Sequence, residues 1–317
     1  MNILFSQRSS RWDSLLFPIE DNRFELTLQF RVRLIRIEPT SHFMDPGTYM
    51  NGDGFLRYLD GHRTIKLESW ADLEWETYKR DFKSVIERNW GDRFVLIPNK
   101  PWYTPRAGSA PIPAPIKCSI AIQVVDFADQ NPHFKFRCIH FHPDIQQSNF
   151  QSYASWYYGL GIITHEDLQF YWRLKATKVG KQQHQVEFGQ ILVLHEFGHI
   201  LGFDHVNGES NEDWAYGVTV DQKADTMGIG YHFANRHAEP WERTLKRHLV
   251  RENRYDNTVK FIGQTNGPQI IPYWDNNWEF TPTPSASGSN QPVPIDDAVR
   301  GPAGVIWGHM ANRPITE

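Results

Sequence analysis

Along residues 24–38, FELTLQFRVRLIRIE, apolar side chains occupy alternate positions: Phe24, Leu26, Leu28, Phe30, Val32 and Leu34, with Ile35 adjoining. A period of two belongs to a strand with one buried face, and Pro39 lacks the backbone donor that would extend it. From Ser69 to Trp90 the spacing changes. Trp75, Tyr78, Phe82, Val85, Ile86 and Trp90 recur at intervals of about three and four, which predicts an amphipathic helix with Ser69 as N-cap and Gly91 as its stop. Short strands are expected over 94–97, 118–127 and 134–141. Pro98, Pro101, Pro105, Pro111, Pro113 and Pro115 exclude a regular element over 98–115. Residues 182–201 predict the strongest helix, almost continuously apolar from Ile191 to Leu194 and ended by Gly202, and Pro240 suits the first turn of a further one, WERTLKRHLV. Asn51-Gly52-Asp53-Gly54 opens like a calcium loop, but the remaining ligand positions do not follow, so it reads as a turn.

Composition narrows the class without naming it. The chain has 317 residues, with 33 basic and 37 acidic side chains and a net charge of −4, so no basic field advertises nucleic acid. Aromatic residues reach 14%. The tryptophans are scattered from Trp12 to Trp307, which fits core and cleft packing better than a stacking platform. Two cysteines cannot staple a scaffold of this length; Cys118 and Cys138 fall on successive expected strands, either paired or as free buried thiols. No segment approaches the roughly 20 apolar residues that span a bilayer. The first residues, MNILFSQRSSRWDSLLFPIED, interrupt their apolar positions with Ser, Gln, Arg and Asp, so no Sec-type leader is expected.

The chemistry concentrates in His195-Glu196-Phe197-Gly198-His199-Ile200-Leu201-Gly202-Phe203-Asp204-His205. On a helix, positions i and i+4 share a face, so the rings of His195 and His199 can converge on one ion. Neutral imidazole suits Zn²⁺. Glu196 stands about 100° further around the helix, close to such an ion without being a third ligand, where a carboxylate can relay a proton from water to a leaving amine. Gly202 can take a positive φ, end the helix and let His205 return as a third ligand. Three histidines leave a fourth position open, the mark of catalytic rather than structural zinc. The full five-position pattern would arise by chance in roughly one chain of this composition in ten thousand.

This segment resembles the zinc-binding signature of the metzincin metalloproteases, and LHEFGHILGFDH is closest to the matrixin version. The resemblance implies a zinc endopeptidase acting on a protein or peptide substrate. It assigns His195, His199 and His205 as ligands to Zn²⁺ and Glu196 as general base. The family also has a Met-containing turn beneath the metal, for which Asp225-Thr226-Met227-Gly228 is the candidate, Met227 lying 22 residues after His205. That interval is longer than in matrixins, and Val206 stands where matrixins usually have Ser. Ile229 stands where astacins and serralysins carry an oxyanion-stabilising Tyr, so Tyr231 and His232 are the candidates for that role or for a pocket wall. The implied fold is α+β: a metzincin-like zincin with a twisted, mostly parallel sheet, an active-site helix and a Met-turn, followed by an irregular C-terminal tail.

The expected organisation is an N-terminal extension over 1–23, a catalytic domain over 24–252 and a Pro/Ser-rich extension over 253–317, with TPTPSASGSNQPVP as its linker-like part. Exported relatives and the missing leader together imply a protein secreted or delivered without a Sec-type signal, such as a toxin or effector, with the tail as an export or docking segment; the other reading is cytoplasmic. His133, His140 and His142 with Asp144 are read as a strand-edge cluster in preference to a second metal site. The competing functional class is a catalytically silent, zinc-stabilised binding or assembly protein on the same scaffold, and Glu196 argues against it, since a structural site has no use for that carboxylate.

Overall fold

The alternating segment is the longest strand among the described residues, and a large mixed sheet is built outward from both of its edges. The computed structural model describes residues 5–275, apart from 20–22, 46, 60, 62, 101, 105, 108–109, 113–114, 127–130, 144–149, 180–181, 252–258 and 267–269, together with residues 306–308. It divides into two compact units, the first comprising residues 1–169, 192–202 and 238–264 and the second residues 170–191, 203–237 and 265–317.

The first unit opens with β1 (Phe5–Gln7), β2 (Asp13–Pro18) and β3 (Phe24–Arg36). A small meander follows: β4 (His42–Asp45), β5 (Thr48–Asn51), β6 (Phe55–Tyr58) and β7 (Thr64–Lys66). Then come α1 (Asp72–Trp90), β8 (Phe94–Pro98), the two-residue strands β9 (Arg106–Ala107) and β10 (Ala110–Pro111), β11 (Ile116–Val124), β12 (Phe134–Ile139), β13 (Tyr153–Ser155) and β14 (Leu160–Thr164). The large sheet runs β13-β14-β12-β3-β11-β8-β17, where β17 is Phe261–Thr265. One edge of β3 carries β11 along Phe24–Val32; the other carries β2 along Phe24–Gln29 and β12 along Val32–Arg36. Phe24, Leu26, Leu28, Phe30, Val32 and Leu34 are all buried, the alternation expected of this segment.

The sheet is mixed rather than mostly parallel. β3 with β11, β3 with β12 and β12 with β14 are parallel, while β1 with β2, β2 with β3, β8 with β11 and β13 with β14 are antiparallel. Connection length explains the difference. β13 reaches β14 through four residues, too few for a crossover, whereas the return from β3 to β11 has room for the meander and α1. The meander itself was not expected as strands. Each contributes only one or two inward residues, such as Met50, Leu56, Tyr58 and Ile65, to a second apolar cluster with Ile37, Ile139, Phe141 and Ile162. Asn51–Gly54 is the turn between β5 and β6, and Asp53 is committed there, accepting from Phe55 N–H at 3.2 Å and pairing with Arg57.

α1 starts at Asp72, not after Ser69. Trp70 explains the delay: its indole N–H donates to Cys138 O at 3.1 Å, pinning the chain to the sheet before the helix can begin. The helix buries Trp75, Tyr78, Phe82, Val85, Ile86 and Trp90, and Gly91 N–H closes it on Glu87 O at 3.0 Å. Two further helices belong to this unit, α2 (Leu192–Leu201) and α4 (Glu239–Arg251); α3 (Val220–Ala224), between them in the chain, belongs to the second unit.

The second unit holds the main departure from the sequence pattern. Residues 182–191 are not the first half of the zinc-motif helix; they form β16 (Gln182–Ile191), paired antiparallel over ten positions with β15 (Phe170–Val179). Val186 and Phe188 point into a small core with Ala224 and Ile229, while Gln185 is exposed and Glu187 half-buried. That is a period of two, and the ladder with β15 satisfies backbone groups that a helix would have satisfied internally. β16 also pairs antiparallel with β18 (Ile270–Asp275), and β18 pairs in parallel with β19 (Ile306–Gly308). Residues 281–294, the linker-like segment, lie outside the described residues.

Candidate metal centre

α2 is apolar almost all round: Val193, Leu194, Phe197, Ile200 and Leu201 are buried, and Phe197 meets Phe30 of β3 edge-on at 5.0 Å. Such a helix must hide whatever polar groups it carries. His195 is 2% and Glu196 3% exposed, and the His195 and His199 rings meet edge-on with centroids 4.9 Å apart. Gly202, at φ +95°, ends the helix, and its N–H donates to His199 O at 3.0 Å. An L side chain rarely adopts that φ, so glycine is what allows the chain to turn there.

His195, His199 and His205 each offer one ring nitrogen, and these nitrogens all lie within 4.8 Å of one another. His205 Nδ1 lies 2.7 Å from Ser210 O; a carbonyl only accepts, so Nδ1 carries the proton and Nε2 keeps its lone pair. Burial lowers the pKa of His205, which favours the neutral, ligating form. The ring of Tyr216 packs 4.0 Å from that of His205, centroid to centroid. The residues therefore define a three-histidine group able to hold a metal ion.

Glu196 is a buried carboxyl beside that group. Among the described residues its Oε2 has no hydrogen-bond partner. Burial pushes its pKa well above the carboxylate range and the nearby Asp167 adds to the effect, opposed by the backbone N–H of Ala154 in β13. Asp167 is itself pushed up to about 6 by burial, despite accepting from Ser152 Oγ at 2.5 Å and Thr164 N–H at 2.6 Å. Ser152, Ala154, Asp167 and Tyr216 were invisible to sequence reasoning. None belongs to a spaced motif, and only the pairing of β13 with β14 and the loop after His205 bring them to these positions.

Asp225–Gly228 forms a tight turn around a fully buried Met227. Asp225 Oδ1 accepts from Met227 N–H at 2.8 Å, and Asp225 O accepts from Gly228 N–H at 2.8 Å. The backbone of His232 closes the loop: its N–H donates to Ala224 O at 2.9 Å, and its carbonyl accepts from Thr226 N–H at 2.8 Å and Thr226 Oγ1 at 2.9 Å. Gly230 is needed for this closure, since a Cβ there would stand 2.0 Å from Ala224 O. Tyr231 is half-buried, edge-on to Phe170 at 6.4 Å and Phe233 at 5.9 Å.

The other candidates separate. His133 lies at the start of β12, where its Nδ1 accepts from Arg31 N–H at 2.9 Å, whereas His140 lies past the strand's far end, 3.2 Å from Glu74 and stacked on Trp70. Asp144 is outside the described residues. Among the described residues the His195–His199–His205 group is the one whose ligand atoms converge. Cys118 and Cys138 are buried free thiols. They sit opposite Leu26 and Arg36 of β3, about 30 Å apart along the strand, and a disulfide needs Cα atoms within about 7 Å.

No protein-family model, curated protein or solved structure matches the chain. Among the described residues no helix is long and apolar enough to cross a membrane.

Proposed function

We propose that the protein is a zinc-dependent endopeptidase of metzincin type. One observation carries the reading: three converging imidazole nitrogens stand next in the chain to a buried carboxyl whose Oε2 has no partner among the described residues. The donor set fits zinc, since three neutral histidines with an open fourth position suit its catalytic mode. An unpaired buried carboxyl oxygen is costly, and a nearby cation or a water held beside it would satisfy it.

In this reading His195, His199 and His205 hold the ion, and the Ser210 carbonyl keeps His205 in the tautomer that can bind. Zn²⁺, when bound, supplies Lewis-acid polarisation of the scissile carbonyl and makes water a stronger acid. Glu196, ionised once a cation beside it offsets the burial that raises its pKa, takes the proton of the attacking water as the new C–O bond forms, then gives it to the amide nitrogen so that the C–N bond breaks and the amine leaves. Ala154 N–H holds the other part of this machinery by fixing the carboxyl against β13. The turn at Met227 serves as the Met-turn of this reading, and Tyr231 and His232 as candidates for the pocket wall.

The test is the Glu196→Gln variant, which keeps the carboxyl's shape and loses its basicity. Zinc binding by calorimetry should remain within a few-fold of the parent, while cleavage of an unbiased peptide library, abolished in the parent by a chelator, should disappear. Undiminished cleavage by the variant would overturn the mechanism. A zinc-loaded parent that cleaves nothing in the library would point instead to the silent binding protein.

A further inference from the structure

On the first unit, three arginines gather at one place. Trp12 Nε1–H donates to Thr244 Oγ1 at 3.3 Å, and Ser14 Oγ and His248 Nε2 are 3.0 Å apart, so the start of β2 is tied at two points to α4. Ser9 Oγ, bonded to Trp12 O at 2.5 Å and accepting from Arg11 N–H at 3.3 Å, braces the turn between. This places Arg11 beside Arg243 and Arg247, which share one face of α4 as an i, i+4 pair. Arg11 Nη1 and Arg243 Nη2 lie 3.4 and 4.0 Å from where a Cβ on Gly202 would stand. The two groups are therefore about 7 Å apart at most, close enough for one tetrahedral anion to accept from both. The guanidinium of Arg11 also stacks on the half-exposed ring of Trp156, 3.9 Å from its centroid.

Three like charges held together by covalent and hydrogen-bonded anchors repel one another. Burial, then Arg243 and Arg247 in turn, lower the pKa of Arg11. Among the described residues Glu239 pairs with Arg243 at 3.6 Å, and no carboxylate pairs with Arg11 or Arg247. An anion accepting from these guanidinium groups would offset their mutual repulsion. A planar carboxylate satisfies one guanidinium fork, whereas a tetrahedral oxyanion presents oxygens in several directions and carries more than one charge.

We propose that Arg11, Arg243 and Arg247, walled by Trp156, form a binding site for a phosphate-class oxyanion. It stands independently of the metal centre. A soluble phosphoryl group and a phospholipid headgroup share this chemistry. Tyr157 and Tyr158, 75% and 69% exposed beside Trp156, give the lipid source a reason to be tested.

Inorganic phosphate is titrated into the full chain by calorimetry at constant ionic strength, with chloride as the balancing salt. Arg11→Gln and Arg247→Gln are compared with Arg80→Gln, which removes the same charge from a 71% exposed side chain of α1. Saturable binding is expected, weakened by about tenfold in each site variant and unchanged in Arg80→Gln. Without phosphate, Arg247→Gln should melt no lower than the parent, because it relieves repulsion. In the second arm, co-sedimentation with phosphatidylcholine vesicles containing anionic phospholipid and competed by phosphate assigns the headgroup; phosphate binding without co-sedimentation assigns a soluble phosphoryl group. Absence of saturable phosphate binding together with no site-dependent co-sedimentation, or equal weakening in Arg80→Gln, overturns the proposal.

Discussion

The indole N–H of Trp90, the last residue of α1, donates to the carbonyl of Leu194 at 3.1 Å, one residue before His195. Trp90 is fully buried, and its ring also approaches Phe197 at 6.5 Å. The helix read from its spacing alone thus fixes the backbone that presents the first histidine. Trp90→Phe keeps most of the packing and removes the donor, so it should cost about 1–2 kcal/mol. Trp90→Ala should cost about 3–5 kcal/mol through the cavity it leaves. Urea unfolding of the metal-free chain checks both, and equal costs would show that the hydrogen bond and the ring volume are not separable here.

Metal binding should be visible as stability. Zinc at a hundred times its dissociation constant should stabilise the parent by about 2.7 kcal/mol, and a chelator should reverse the gain. His205→Ala should lose more than about a hundredfold in zinc affinity, and with it nearly all of that gain. A His205→Ala chain that still responds to zinc like the parent would mean that the three nitrogens do not act on one ion.

The turn at Met227 should be acid-sensitive. Burial alone would raise the pKa of Asp225, but His237, Arg236 and the N–H of Met227 together pull it down to about 2 from an ordinary 3.8. A carboxyl whose folded-state pKa is depressed contributes its full stability above about pH 4 and loses it as pH falls from there toward 2. The difference in unfolding free energy between the parent and Asp225→Asn should be about 2 kcal/mol at pH 6 and shrink steadily below pH 4. A difference that stays constant down to pH 2.5 would show that the turn draws nothing from this charge.

Local periodicity was a good guide where one element carries its own evidence. β3 alternates along thirteen residues and α1 repeats along nineteen, so each pattern is long enough to be read without partners. The histidines are legible for the same reason: i, i+4 and a glycine three residues further describe a helix, its end and a return, all within eleven residues. The pattern failed at residues 182–191. There a mostly polar segment leading into the apolar Ile191–Leu194 reads as the first half of one helix, although the choice between strand and helix belongs to β15, which offers ten backbone partners at once.

The amino-acid sequence by itself determined the half-buried long strand, the helix that buries Trp90, and the spacing that brings three imidazoles together; these depend on interactions a few residues apart. Only the tertiary structure decided that the sheet is mixed, that a four-stranded meander covers one apolar cluster, that Cys118 and Cys138 stand far apart on opposite edges of β3, and that Ala154 and Asp167 attend Glu196. Those outcomes rest on pairings between segments distant in the chain. Their gain appears only when both partners are in place, and neither partner's own residues announce the other.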